Sequence, residues 1–146
     1  MKKIFQILLL LILVGGAFAV YLYLKESTDY AKQKPDISMS ANNILQQVDS
    51  DTSGLTPMRN KLILITDATI KSVQLDTTMS VLELSSPSST SLVIAQIDPR
   101  YNESALNLKP GQKINIKGIF TNVNIDTDLG LGNSVQLNYC TLSSNR

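Results

Sequence analysis

The sequence predicts a mainly β protein: a small five-stranded barrel with a short helix in front of it, preceded by one apolar membrane helix. Three observations predict this. Lys2 and Lys3 precede an apolar run that begins at Ile4, ends at Leu24 and closes on Lys25 and Glu26. A polar stretch and one amphipathic segment follow. Beyond Lys61 the chain becomes a series of segments of about six to ten residues rich in Ile, Val, Leu and Thr, separated by polar turns.

The run contains Gln6 as its one strongly polar member. At about 1.5 Å per residue it would be roughly 31 Å long, which matches the hydrocarbon thickness of a bilayer. The two lysines before it favour a cytoplasmic N-terminus, so the rest of the chain is expected to be exported. Tyr21 and Tyr23 stand near the outer end, where aromatic rings prefer the interface. A cleaved secretory signal is the alternative, because Ala17, Phe18 and Ala19 form an A-x-A-like site. Continuation of the run through Val20, Leu22 and Leu24 favours a retained signal anchor.

The expected organisation is an anchor over residues 1–25, a polar tether over 26–39, a barrel domain over 40–142 and a tail over 143–146. The tether is polar, aperiodic and contains Pro35, which suits a spacer. Ser40 is placed to cap a helix over residues 40–49, in which Ala41, Ile44, Leu45 and Val48 make one apolar stripe. Residues 49–60 break regular structure, with Leu55 and Met58 adding an apolar turn. The first strand is expected over residues 62–73, a turn at 76–78, and a second strand over 80–84. Pro87 and the serines between Ser85 and Ser91 make the next turn. A third strand over 92–97 leads through Asp98 and Pro99 into a single helical turn reaching Ala105 and Leu106.

Pro110 and Gly111 reset the chain for the fourth strand, where Ile114 and Ile116 alternate with Asn115 and Lys117. Beyond Gly118 the apolar phase moves to Ile119, Val123 and Ile125, so a bulge or sharp bend is expected at the glycine. Residues 126–133 return the chain to a last strand in which Val135, Leu137 and Tyr139 alternate with Gln136 and Asn138. Five strands, a connecting segment between the third and fourth, and a kinked long strand are the plan of an OB-fold Greek-key barrel.

On these residues the chain resembles a family of bacterial OB-fold envelope proteins described as tRNA-anticodon-domain-like. The matching pieces are the helix with Ser40, Ala41, Ile44 and Leu45, the strand opening at Lys61, Leu62 and Ile63, and the Leu108, Lys109, Pro110, Gly111, Gln112 turn into residues 114–118. The closing Val135, Gln136, Leu137, Asn138, Tyr139 and Cys140 complete them. The resemblance implies descent from a nucleic-acid-binding barrel and does not imply tRNA binding by an exported member.

Chemistry is sparse. The chain has no histidine, which removes the commonest general base and metal ligand, and no tryptophan. Asp67, Asp76, Glu83, Asp98 and Glu103 are spread over separate turns and strands, so solvated surface is expected rather than catalysis. Asn124, Asp126 and Asp128 begin like a calcium loop, but Leu129 stands where glycine is required and Val135 where glutamate is required. Gly130 and Gly132 open no helix and read as a hairpin turn rather than a phosphate cradle. Cys140, the single cysteine, is expected to be a small buried apolar residue.

Two of the 13 basic residues precede the run, so the part behind it is close to neutral and carries no electrostatic footprint for nucleic acid. The second and third strands offer Ser80, Glu83, Ser91 and Gln96 instead of aromatic and basic residues. The expectation is a non-enzymatic, membrane-tethered module without cofactor or metal, single-pass in the bacterial inner membrane, its barrel periplasmic and binding an envelope glycan, peptide or protein. OB geometry places the ligand beside Gln74, Asp76 and Thr77 on one loop and Asp126 and Asp128 on the other. A single-stranded nucleic-acid binder is the alternative, and a hydrolase using two of the scattered acids is a third.

Overall fold

The computed structural model describes residues 11–21, 28–125 and 132–143. Residues 11–21 are helical and exposed. Among the described residues no helix is long and apolar enough to cross a membrane. The expected span from Ile4 to Leu24 falls within them only over residues 11–21, which at about 1.5 Å per residue cover roughly half a bilayer's hydrocarbon.

Among the described residues six strands form one sheet: β1 (Ile37–Ser40), β2 (Leu62–Gln74), β3 (Val81–Ser85), β4 (Leu92–Ile97), β5 (Lys113–Asn124) and β6 (Ser134–Ser143). Five of them close a barrel, because the order β2-β3-β4-β6-β5 returns to β2 through a β2–β5 pairing. Within the barrel β4 and β6 run parallel and the other pairs are antiparallel. This is the OB-fold plan. Buried residues alternate along β3 and β4 as a period-two strand requires, with Leu82, Leu84, Val93, Ala95 and Ile97 pointing inward.

The helix α1 (Ala41–Ser50) starts where Ser40 Oγ accepts a hydrogen bond from the Asn43 amide at 3.2 Å. Its stripe of Ala41, Ile44, Leu45 and Val48 is buried in the same core as Leu55, Ile63, Ile65 and Phe120. Leu55 comes from a 3-10 segment, Thr52–Met58, at the place where an apolar turn is expected. The serine-rich β3–β4 turn is fastened to α1 through Asn42 and Asp49, which accept from the hydroxyls of Ser86 and Ser89 at 2.9 and 2.6 Å and from those of Ser88 and Ser91.

The irregularity at Gly118 is real, and its extra residue lies on the partner strand. Between Lys117↔Thr141 and Ile119↔Asn138 the strand β5 contributes Gly118 alone, while β6 contributes Tyr139 and Cys140. Tyr139 has a φ of 53°, the left-handed value of a bulge residue. Gly118 is required for room: a Cβ there would stand 2.5 Å from Cys140 Sγ and 3.2 Å from the Asn138 carbonyl oxygen. Cys140 is fully buried, and burial pushes its thiol pKa up, so it packs as an apolar residue.

The stretch expected as a spacer, residues 26–39, does not stand clear of the barrel over its described part. Arg100 Nη2 donates to the Thr28 carbonyl at 2.9 Å, and the Tyr101 hydroxyl donates to the Asp29 carboxylate at 2.9 Å. Tyr30 packs its ring on Tyr139 with centroids 5.8 Å apart. Lys117 Nζ donates to the carbonyls of Ala31 and Gln33, both at 2.7 Å. The Leu62 amide donates to Asp36 at 2.9 Å, and β1 then pairs parallel with β2 from Ile37↔Ile63 to Ser40↔Thr66. Residues 28–36 are therefore a strap leading from the end of β4 past β6 and β5 to β2. Aperiodic polar sequence conceals such a strap, because its bonds are backbone carbonyls and single side chains rather than an apolar stripe.

Candidate functional site

Among the described residues the strap does not cover the outer side of β3 and β4. The half-buried residues that alternate with the core there are Val81, Glu83 and Ser85 on β3 and Leu92, Ile94 and Gln96 on β4. Cross-strand pairs Glu83↔Ile94 and Val81↔Gln96 put them side by side, and Ile94↔Gln136 extends the face onto β6. No lysine, arginine or aromatic ring stands on these two strands. Two serines expected on this face point elsewhere: Ser80 and Ser91 are fully buried, and Ser91 bonds Asp49.

At one end of this face lies the β2–β3 turn, which holds three of the expected ligand residues. Gln74 closes β2 opposite Val81. Asp76 folds the turn by accepting from the Thr78 amide at 3.1 Å and from the hydroxyls of Thr77 and Thr78 at 3.2 and 3.3 Å. Those donors hold its carboxyl below the usual carboxylate range, so it stays ionised. The other two expected residues, Asp126 and Asp128, lie outside the described residues.

Asn102, which sequence reasoning missed, fixes the turn from the side. Its Nδ2 donates to the Asp76 carbonyl and its Oδ1 accepts from the Ser80 amide, each at 2.8 Å. Asn102 belongs to the 3-10 segment Pro99–Ala105, which Asp98 caps by accepting from the Arg100 amide at 3.0 Å. Between turn and 3-10 segment is a groove of about 520 Å³ lined by Leu75, Asp76, Thr77, Pro99, Asn102, Glu103 and Leu106. Leu75 and Leu106 are 52% and 58% exposed, and Met79 on the same turn is 38% exposed. The signal for this cluster in the sequence is faint: Leu106 falls in the expected helical turn and Leu75 between the first strand and its turn, and only tertiary placement shows that the described residues leave them exposed.

Asp98 is held by Arg100, whose Nη2 stands 2.6 Å from its carboxylate while the Asp98 side chain is 2% exposed. That guanidinium holds the carboxyl below its usual range. The pair serves the corner, since the same Arg100 grips the strap. A second groove, of about 420 Å³, runs along Asp67, Leu108, Gln112, Lys113, Ile114 and Leu142 beside a bulge in β2 where Asp67 has a φ of 56°. The Asp67 amide there donates to Asn115 Oδ1 at 3.0 Å. Of the acids considered for catalysis, Asp76 and Glu103 line one groove, while Asp67, Glu83 and Asp98 lie apart from it.

No protein family's sequence profile matches the chain. No curated protein matches it either. Among solved structures, an aspartyl-tRNA synthetase from Leishmania major Friedlin is similar, with 10% identity and a TM-score of 0.43 over 80% of this chain. The chain spans 22% of the length of that synthetase chain. The barrel assignment rests on this chain's own strand pairing.

Proposed function

We propose that the protein is a non-enzymatic, membrane-tethered OB-fold module that holds an envelope component on the extracytoplasmic side of the bacterial inner membrane. The apolar run from Ile4 to Leu24 behind Lys2 and Lys3 is the anchor. The observation that carries the binding role is the one-sided cover of the barrel. Residues 28–36 occupy the β6, β5 and β2 side and so, among the described residues, leave the β3–β4 face, the customary OB ligand surface, uncovered.

The chemistry of that face supports a neutral or weakly cationic polar ligand with some apolar surface, such as an uncharged envelope glycan. Glu83 and Asp76 supply carboxylates, Gln96 and Thr77 supply neutral hydrogen-bonding groups, and Val81 and Ile94 supply apolar contact. Polyanionic nucleic acid would meet no cation and no stacking ring on β3 or β4. The test is an NMR titration of the isotope-labelled full chain in nanodiscs with uncharged N-acetylglucosamine oligomers and, separately, with oligothymidylate at low salt. These oligomers should move the amides of Glu83, Ile94 and Gln96 saturably. Saturable shifts with oligothymidylate that weaken steeply with salt would replace this reading with the nucleic-acid one.

A further inference from the structure

The geometry points to the exposed apolar trio Leu75, Met79 and Leu106 as a bilayer-contacting patch that seats this end of the barrel on the outer membrane interface. The inference rests on the anchor reading above and goes beyond it by fixing how the barrel stands on the membrane.

Covalent reach limits how far the barrel can stand from the bilayer. Thr28 is pinned to Arg100, and Asp29 to Tyr101, at the start of the 3-10 segment. Only three residues, Lys25, Glu26 and Ser27, separate that pinned point from the end of the apolar run at Leu24. Four Cα steps of at most about 3.8 Å let the pinned corner lie no farther than roughly 15 Å from the hydrocarbon edge. The headgroup layer itself takes up roughly half of that distance. A tether with a free spacer of 14 residues would let the barrel turn any side to the membrane, and the strap removes that freedom.

The corner so held carries the patch. Arg100 grips the strap, and its neighbour Pro99 lines the groove with Leu75 and Leu106. Asn102, two residues on, ties the turn bearing Leu75 and Met79 to the same 3-10 segment. Three exposed apolar side chains gathered at one braced corner suit an apolar partner, and the interface is the partner that the chain's own covalent length supplies. The opposite end of the β3–β4 hairpin, with Ser88, faces away, so the open β3–β4 face stands upright from the bilayer.

The test uses the full chain in vesicles of phosphatidylethanolamine and phosphatidylglycerol containing a chain-labelled doxyl lipid. An environment-sensitive fluorophore is placed on Leu106→Cys, Leu75→Cys or Ser88→Cys, the buried Cys140 remaining unlabelled. Emission should shift to the blue and be quenched by the doxyl lipid at positions 75 and 106, and neither should occur at 88. Inserting a ten-residue Gly-Ser linker between Ser27 and Thr28, which leaves every strap contact in place, should bring quenching at 106 down towards the level at 88. Vesicle flotation separates the failures. A chain that does not float with lipid overturns the anchor reading and this inference together. A floating chain quenched equally at 88 and 106 overturns the inference alone, as does a blue shift at 106 without quenching, which would mean that protein covers the patch.

Discussion

Replacing Gly118 with alanine should destabilise the barrel through one identifiable contact. The added methyl would stand 2.5 Å from Cys140 Sγ, 3.2 Å from the Asn138 carbonyl oxygen and 3.4 Å from Leu137 Cβ. Cys140 and Leu137 are fully buried, so neither can swing into solvent to make room. Overpacking of this kind costs about 1–3 kcal/mol, against a gain of about 0.4–1 kcal/mol from a stiffer unfolded chain, leaving a net loss of about 1–2 kcal/mol. Cys140→Ala alone removes one buried heavy atom and should cost about 1 kcal/mol. Because that substitution vacates the space that the methyl needs, the double variant should lose less than the sum, with a coupling of about 1 kcal/mol or more. Urea unfolding of residues 28–143, followed by far-ultraviolet circular dichroism, measures all four corners of the cycle. A Gly118→Ala variant as stable as the parent, or costs that simply add, would refute the close-approach argument.

Three further outcomes follow from the same geometry. Asn102→Leu should strip both bonds from the β2–β3 turn, costing about 1–3 kcal/mol and abolishing the hydrogen-exchange protection of the Ser80 amide. Stability should hold down to the ordinary carboxyl value of 3.8 and fall below it, because the Asp98 carboxyl is depressed in the fold and its contribution is lost as pH drops through the folded value. Acid titration of the urea midpoint should show a smaller loss below that value in Arg100→Gln, because without the guanidinium the Asp98 carboxyl is no longer held down in the fold. The Cys140 thiol should resist a thiol reagent in the native protein and react at once in denaturant, since it is fully buried and its pKa is raised.

The barrel was legible because its information is local. Alternation on β3 and β4, the Ser40 cap and the apolar stripe of α1 each follow from residues a few positions apart, and they lie where periodicity places them. The phase slip at Gly118 was legible as an irregularity but not in its placement, since β6 accommodates the extra residue and only pairing reveals which strand does so. The strap and β1 were not legible, because Tyr101, Lys117 and Leu62 lie far along the chain from the residues they hold. The candidate site was half legible. OB topology located Gln74, Asp76 and Thr77 beside the open face, while Asn102 and the uncovered Leu75 and Leu106 depend on how a 3-10 segment packs against a turn.

The most direct measurement fuses a reporter that folds only outside the cytoplasm, such as alkaline phosphatase, after Arg146 and follows its activity with the protein's mass and membrane fractionation. An active reporter on an uncleaved, membrane-bound chain is the expected result. An inactive reporter would place the barrel in the cytoplasm and contradict a module for the cell envelope.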